Sequence, residues 1–158
     1  MKPRKSVTAV LALLLIAVIC ALVGPETLFR MNIAYAKNNN VSDEQLLARA
    51  INGEARGEPY EGQVAVGAVI LNRVKDPNFP NTIAGVIYQP GAFTAVSDGQ
   101  INEPIDPGST VVKAARDVLN GWDPTDGCIY YWNPATATSS WIWSRKIVTK
   151  IGKHNFGV

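Results

Sequence analysis

Metal and thiol chemistry have little to work with in this sequence. Its 158 residues contain two cysteines, Cys20 and Cys128, and one histidine, His154. A lone histidine without clustered cysteines or acids gives no ligand set with metal-binding spacing, so neither a metal nor a cofactor is expected. Charge of one sign is also scarce. The net charge of +2 comes from the N-terminus, and without residues 1–36 the chain would carry 11 basic and 12 acidic side chains. No basic field remains to attract nucleic acid. Only one long hydrophobic run occurs, Val7 to Val23. It comes after Lys2, Arg4 and Lys5 and precedes Ala34-Tyr35-Ala36. A basic start, an apolar core and an Ala-x-Ala site form a secretory signal, with cleavage expected after Ala36 and export of the mature chain from Lys37 onward. The rival reading is an uncleaved anchor, since the run sits at the lower limit for crossing a bilayer. Membrane contact would then be confined to this segment. Cys20 would leave with a cleaved signal, so Cys128 would have no intramolecular partner and reads as a small buried hydrophobe.

Residues 37–41 read as a polar linker, and 42–158 as one domain. Ser42 and Gln45 fit a capping box, with Val41 and Leu46 placed as a hydrophobic staple. Gly57 is the expected left-handed terminator of that helix, and Pro59 suits the first turn of the next. From Glu61 to Val74 the chain is apolar nearly all round, which predicts a buried central helix. Thr82 to Tyr88 reads as a short helix. Gln89 to Gly108 lacks periodicity and reads as a long ordered loop, a kind of segment that is usually functional. Ser109 to Asn120 predicts a further helix with Val112, Ala115, Val118 and Leu119 inward, ended by Gly121. Cys128 to Trp132 and Lys146 to Ile151 read as strands. Helices first and strands last give an α+β domain, with a helical N-terminal half and a small antiparallel sheet in the C-terminal half.

One residue breaks this pattern. Leu47, Ala50 and Ile51 form an i, i+3, i+4 stripe, and its next position is Glu54. A carboxyl on a core-facing stripe is costly to ionise, and desolvation drives it toward holding a proton that it can then donate. Glu58 comes one turn later, near the start of the next helix, where the helix dipole favours its ionised form. Such a pair fits an acid and a stabiliser. It fits equally a satisfied buried glutamate beside an exposed cap.

The blocks Ala50-Ile51-x-Gly53-Glu54-Ala55-x-Gly57-Glu58, Gly62-Gln63-x-Ala65-Val66 and Val69-Ile70-Leu71-Asn72-Arg73-Val74 resemble the SleB/CwlJ cell wall hydrolase family. Gln89-Pro90-Gly91-Ala92-Phe93-Thr94 and Ile151-Gly152-Lys153-His154-Asn155-Phe156 are similar to later motifs of that family. The resemblance spans residues 42–158. It implies a spore cortex-lytic enzyme acting on peptidoglycan glycan strands, with a fold distantly like lysozyme and the lytic transglycosylases. By position it implies Glu54 as the catalytic acid. Transglycosylases commonly place a serine next, where this chain has Ala55. Longer members carry a peptidoglycan-binding module that has no counterpart among these residues.

Most glycosidases use two carboxylates. Asp98, Glu103, Asp106, Asp123 and Asp126 all lie in turn-like sequence, which leaves Glu54 with Glu58 as the catalytic candidates. One acid suffices for lytic transglycosylation, in which the sugar's own hydroxyl replaces water; muramidase-type hydrolysis and a non-catalytic wall-binding or envelope protein are the alternatives. A glycan groove needs flat apolar platforms with polar edges. Tyr60, Gln63, Phe93, Tyr131, Trp132, Asn133 and His154 are the substrate-binding candidates, with Phe93 expected at the surface. Tyr130, Trp141 and Trp143 are further aromatic candidates. A regulatory protein partner is left open.

Overall fold

The computed structural model describes residues 41–158, together with Gly24, Glu26, Thr27, Arg30, Met31 and Ile33. The apolar run Val7 to Val23, the Ala34-Tyr35-Ala36 site and linker residues 37–40 lie outside the described residues. Among the described residues, no helix is long and apolar enough to cross a membrane.

Helix α1 spans Asp43–Ala55. The Ser42 hydroxyl accepts from Gln45 N–H at 3.2 Å, and the Gln45 side chain accepts from Ser42 N–H at 3.4 Å, which completes the capping box. Val41 packs against the core to which Leu46 belongs. The C-terminus departs from the sequence expectation. Gly57 is not among the glycines with positive φ; instead Arg56 keeps right-handed dihedrals and Glu58 N–H closes a turn on the Ala55 carbonyl at 2.9 Å. Pro59 has no N–H to continue the ladder, so the chain leaves α1 by a tight turn and does not need a left-handed residue.

Helix α2, Tyr60–Lys75, is the central element, and every residue from Gly62 to Ile70 is buried. A Cβ at Gly67 would come within 2.9 Å of Ile51 and 3.0 Å of Val118, so α1 and α5 (Thr110–Leu119) both close on α2 at that point. Helix α3, Ile83–Ile87, is capped by the Thr82 hydroxyl. The expected loop 89–108 contains helix α4, Thr94–Ser97, and a 3₁₀ turn, Gln100–Asn102. Elements this short contain too few residues to show a 3.6 period. Helix α5 buries Val111, Val112, Ala114, Ala115 and Val118. Leu119, expected inward, is 40% exposed, because it ends the helix just before the left-handed Gly121 (φ 100°).

Strands β1 (Tyr130–Trp132), β2 (Ile147–Ile151) and β3 (His154–Gly157) form an antiparallel sheet in the order β1-β3-β2. Tyr131 pairs with Phe156, and Ile151 with His154. The central strand β3 carries no sequence signal: His-Asn-Phe-Gly has no β-branched residue and no alternation. All four of its residues are buried, so neighbours on both sides hold it in place. Helix α2 touches both β1 and β2, which seats the sheet against the helical layer. Each fully buried Leu, Ile or Phe contributes roughly 1.5–3 kcal/mol. Leu47 and Ile51 of α1, Ile70 of α2 and Phe156 of β3 are such residues, and they fix the frame around the end of α1.

Candidate active site

Glu54 sits in the last turn of α1, half-buried, where the apolar stripe runs out of core. Three donors converge on its carboxylate. Oε1 accepts from the Thr94 hydroxyl at 3.1 Å and from Ala95 N–H at 3.2 Å, and Oε2 accepts from the Tyr131 hydroxyl at 3.1 Å. Ala95 N–H is one of the first amides of α4, which have no partner inside their own helix. Gly53 makes this reach short, because a Cβ there would collide with the Ala95 side chain. Burial, and next the charge of Glu54, push the Tyr131 phenol well above its ordinary pKa, so it remains a donor. The Arg56 guanidinium donates to the Gln100 side chain and ties the end of α1 to the same loop.

Tyr131 also lines an open cleft of about 430 Å³. Gln89 to Ala92 form one wall, Tyr130, Trp141 and Ile142 the other, and Arg73 and Phe79 complete the lining. Arg73, from the last turn of α2, donates Nε to the Ile129 carbonyl at 2.7 Å and stacks on Phe79, Phe93 and Tyr130. Burial pushes its pKa down, but a guanidinium stays charged at any working pH. Among the described residues, no carboxylate lines this cleft.

Glu58 has a different setting. Its side chain is only 6% exposed, and Oε2 accepts Lys153 N–H at 2.8 Å in the turn between β2 and β3. Gly152 (φ 58°) lies against that carboxylate, and a Cβ at 152 would overlap it. Gln63 is buried and bridges back to the Glu58 carbonyl at 3.2 Å. His154 Nδ1 lies 3.8 Å from Glu58 Oε2, too far for a hydrogen bond, and has no other partner. Burial lowers the His154 pKa despite the attraction of Glu58 and Glu54, so the contact is between a neutral ring and a carboxylate, not an ion pair.

Of the residues singled out in the sequence, Tyr130, Tyr131 and Trp141 line the cleft, Tyr131 also bonds Glu54, and His154 lies edge-on to Tyr131 at 5.5 Å. Several others go elsewhere. Phe93 is not at the surface; it is 3% exposed beneath Arg73, because the turn into α4 folds it into the core. Tyr60 turns to α5, where its hydroxyl donates to Asp117 at 2.6 Å and its pKa rises to about 12 through burial and that bond. Trp132 is buried, and its indole nitrogen is unpartnered. Asn133 accepts from Ala135 N–H and shapes the next turn. Cys128 is buried, with its thiol on the Thr125 carbonyl. Thr94, Ala95, Arg73 and Arg145 have no assignment from sequence spacing. Their positions depend on contacts between segments remote in sequence, and no local pattern encodes those.

The family model described as Cell Wall Hydrolase matches residues 57–157, from just after Glu54 nearly to the end of the chain. A spore cortex-lytic enzyme of Bacillus cereus is 61% identical over 115 residues, covering 73% of this chain. That match spans 44% of the relative, so this chain corresponds to less than half of its length. The cell wall hydrolase CwlJ of Bacillus subtilis is 30% identical over 122 residues, covering 73% of this chain and 84% of the relative. The solved catalytic domain of the germination-specific lytic transglycosylase SleB from Bacillus anthracis superposes with a TM-score of 0.70 at 58% identity, covering 76% of this chain and 98% of that one. The fold is therefore the lysozyme-like arrangement of the SleB catalytic domain.

Proposed function

The chain belongs to the cell wall hydrolase family, and from that premise we propose that it cleaves the glycan strands of peptidoglycan, in the spore cortex, with Glu54 as general acid and base. The observation that carries this reading is the setting of Glu54. It is one carboxylate held by Thr94, Ala95 and Tyr131, and Tyr131 also lines an open cleft. Three donors fix where its oxygens point, as a proton-transfer group requires.

The reaction this favours is lytic transglycosylation. Glu54 gives its proton to the oxygen joining N-acetylmuramic acid to N-acetylglucosamine, and the bond from muramoyl C1 to that oxygen breaks. The 2-acetamido group stabilises the developing cation. The Glu54 carboxylate then takes the proton of the muramoyl 6-hydroxyl as O6 bonds to C1, which closes a 1,6-anhydro ring and reprotonates the acid. No water is consumed. A second carboxylate would be needed to activate water, and Glu58 faces the backbone of the β2–β3 turn.

Mass spectrometry of fragments released from purified glycan strands tests the reading. Anhydro-muramic ends are expected. Reducing muramic ends would replace transglycosylation with hydrolysis, and an absence of fragments would remove the enzymatic reading. Export rests on the N-terminal pattern, and a mature N-terminus at Lys37 is its test.

A further inference from the structure

Arg73 lines the cleft and Arg145 lies over two of its aromatic residues, Tyr130 and Trp141; neither guanidinium has a carboxylate partner among the described residues. Arg73 uses only Nε, on the Ile129 carbonyl. Arg145, just before β2, makes only a 3.4 Å contact to Ser144 Oγ, and its Nε is buried with no partner. Their Cζ atoms lie 5.9 and 5.7 Å from the centre of the Tyr130 ring, and Arg145 lies 5.4 Å from that of Trp141. The ring faces attract both cations, but ring faces do not neutralise them. Among the described residues, the carboxylate contacts of basic side chains are Arg116 with Glu44 and His154 with Glu58, both away from this cleft. Two partly desolvated like charges beside an acid-free cleft lack an anion to complete them.

We propose that Arg73 and Arg145 form a subsite for a carboxylate carried by the glycan, on a muramoyl unit bound away from the scissile bond. The inference rests on the glycan-cleaving reading above and adds to it how the strand finds its register. Muramoyl sugars that are not closed into the δ-lactam carry a lactyl carboxylate or a peptide stem that ends in carboxylates, and the glucosamine sugars between them carry none. Holding one such group at Arg73 and Arg145 therefore fixes which of the two alternating linkages lies at Glu54. Tyr131 spans the distance, lining the cleft while its hydroxyl bonds Glu54. Guanidinium groups suit the task, because their forked donors match a carboxylate in plane.

Calorimetric binding of glycan strands to the Glu54→Gln protein tests this without turnover. Three strand forms are needed: peptide-free with lactyl carboxylates, peptide-bearing, and fully amidated. Carboxylate-bearing strands should bind about tenfold or more tighter than amidated ones, and Arg145→Gln should close that gap. Tight binding of the peptide-free form assigns the lactyl group; tight binding of the peptide-bearing form alone assigns the stem. Equal binding of all three forms, absence of binding included, overturns the subsite. So does a loss from Arg145→Gln that is equal on charged and neutral strands. Arg73→Gln should repeat the result, but it also removes the bond to Ile129, so Arg145→Gln decides the matter. If charged strands bind with this preference and the unsubstituted protein releases no fragments from them, the cleavage reading fails and the subsite stands.

Discussion

Glu54 and Glu58 are the same residue type one helical turn apart, and the protein treats them in opposite ways. Glu54 lies at the end of α1 with a carboxylate held mainly by side-chain hydroxyls, one of them from Tyr131, which lines the cleft. Glu58 lies at the α1–α2 corner with its side chain almost fully enclosed and bonded to the backbone of the β2–β3 turn. Hydroxyl donors can be shared with an arriving ligand. A backbone amide inside a tight turn is committed to its acceptor. The two carboxylates therefore differ in whether their partners can be given up.

The largest effect should come from Glu54→Gln. The amide keeps shape but cannot donate the proton, so fragment release should fall by about 10²-fold or more at little change in unfolding midpoint. Retained activity would end the contrast. Glu58→Ala should do the reverse. It removes the charged acceptor of the Lys153 amide and should cost about 1–3 kcal/mol in denaturant unfolding, with activity per folded molecule largely kept. Gly152→Ala should destabilise in the same way by about 1 kcal/mol or more, since it strains a positive φ and crowds the Glu58 carboxylate. Normal stability with lost turnover in Glu58→Ala would place Glu58 in the chemistry.

Tyr131→Phe sharpens the Glu54 side of the comparison. It removes one of three donors, so fragment release should drop by roughly fivefold, matching the ~1 kcal/mol worth of such a bond. The smallest effect is pH-dependent and belongs to the Glu58 side. Burial makes His154 resist protonation when folded, whereas the unfolded chain takes up that proton near 6.5. The unfolded state therefore binds more protons as pH falls, so stability is full above about 6.5 and declines as pH drops toward the lower folded pKa. Replacing His154 with Gln should flatten that slope in unfolding curves measured between about pH 7 and 5.

Residues that act through their neighbours in sequence are legible from the sequence alone. The Ser42–Gln45 capping box, the buried run from Gly62 to Ile70 and the break in the α1 stripe at Glu54 all depend on spacing within a few residues. Strand β3 is not legible, since His154 to Gly157 becomes a strand only because β1 and β2 lie on either side. Gly57 marks the helix stop, directly after the C-cap Arg56, but not its geometry, because the chain leaves by a turn from Glu58 to Ala55 and not through a left-handed glycine. Phe93 looks like a surface platform in a polar loop and is packed under Arg73 instead. The cleft itself joins α2, the loop after α3 and β1, elements remote in sequence, and no local periodicity reports such a meeting.

Gly53 sets the clearance between α1 and α4, and that clearance is a dimension of the site in the machinist's sense. The helix and the loop meet with no room for one extra methyl group, so the position of the Ala95 amide is toleranced from the rear of Glu54 and not from the cleft. A change in bulk at 53 would shift Thr94 and Ala95 together and detune the carboxylate without removing any group that touches it. Bulk can change at Gln89 and Trp141, which line the cleft, but the Gly53–Ala95 gap must be left as it is.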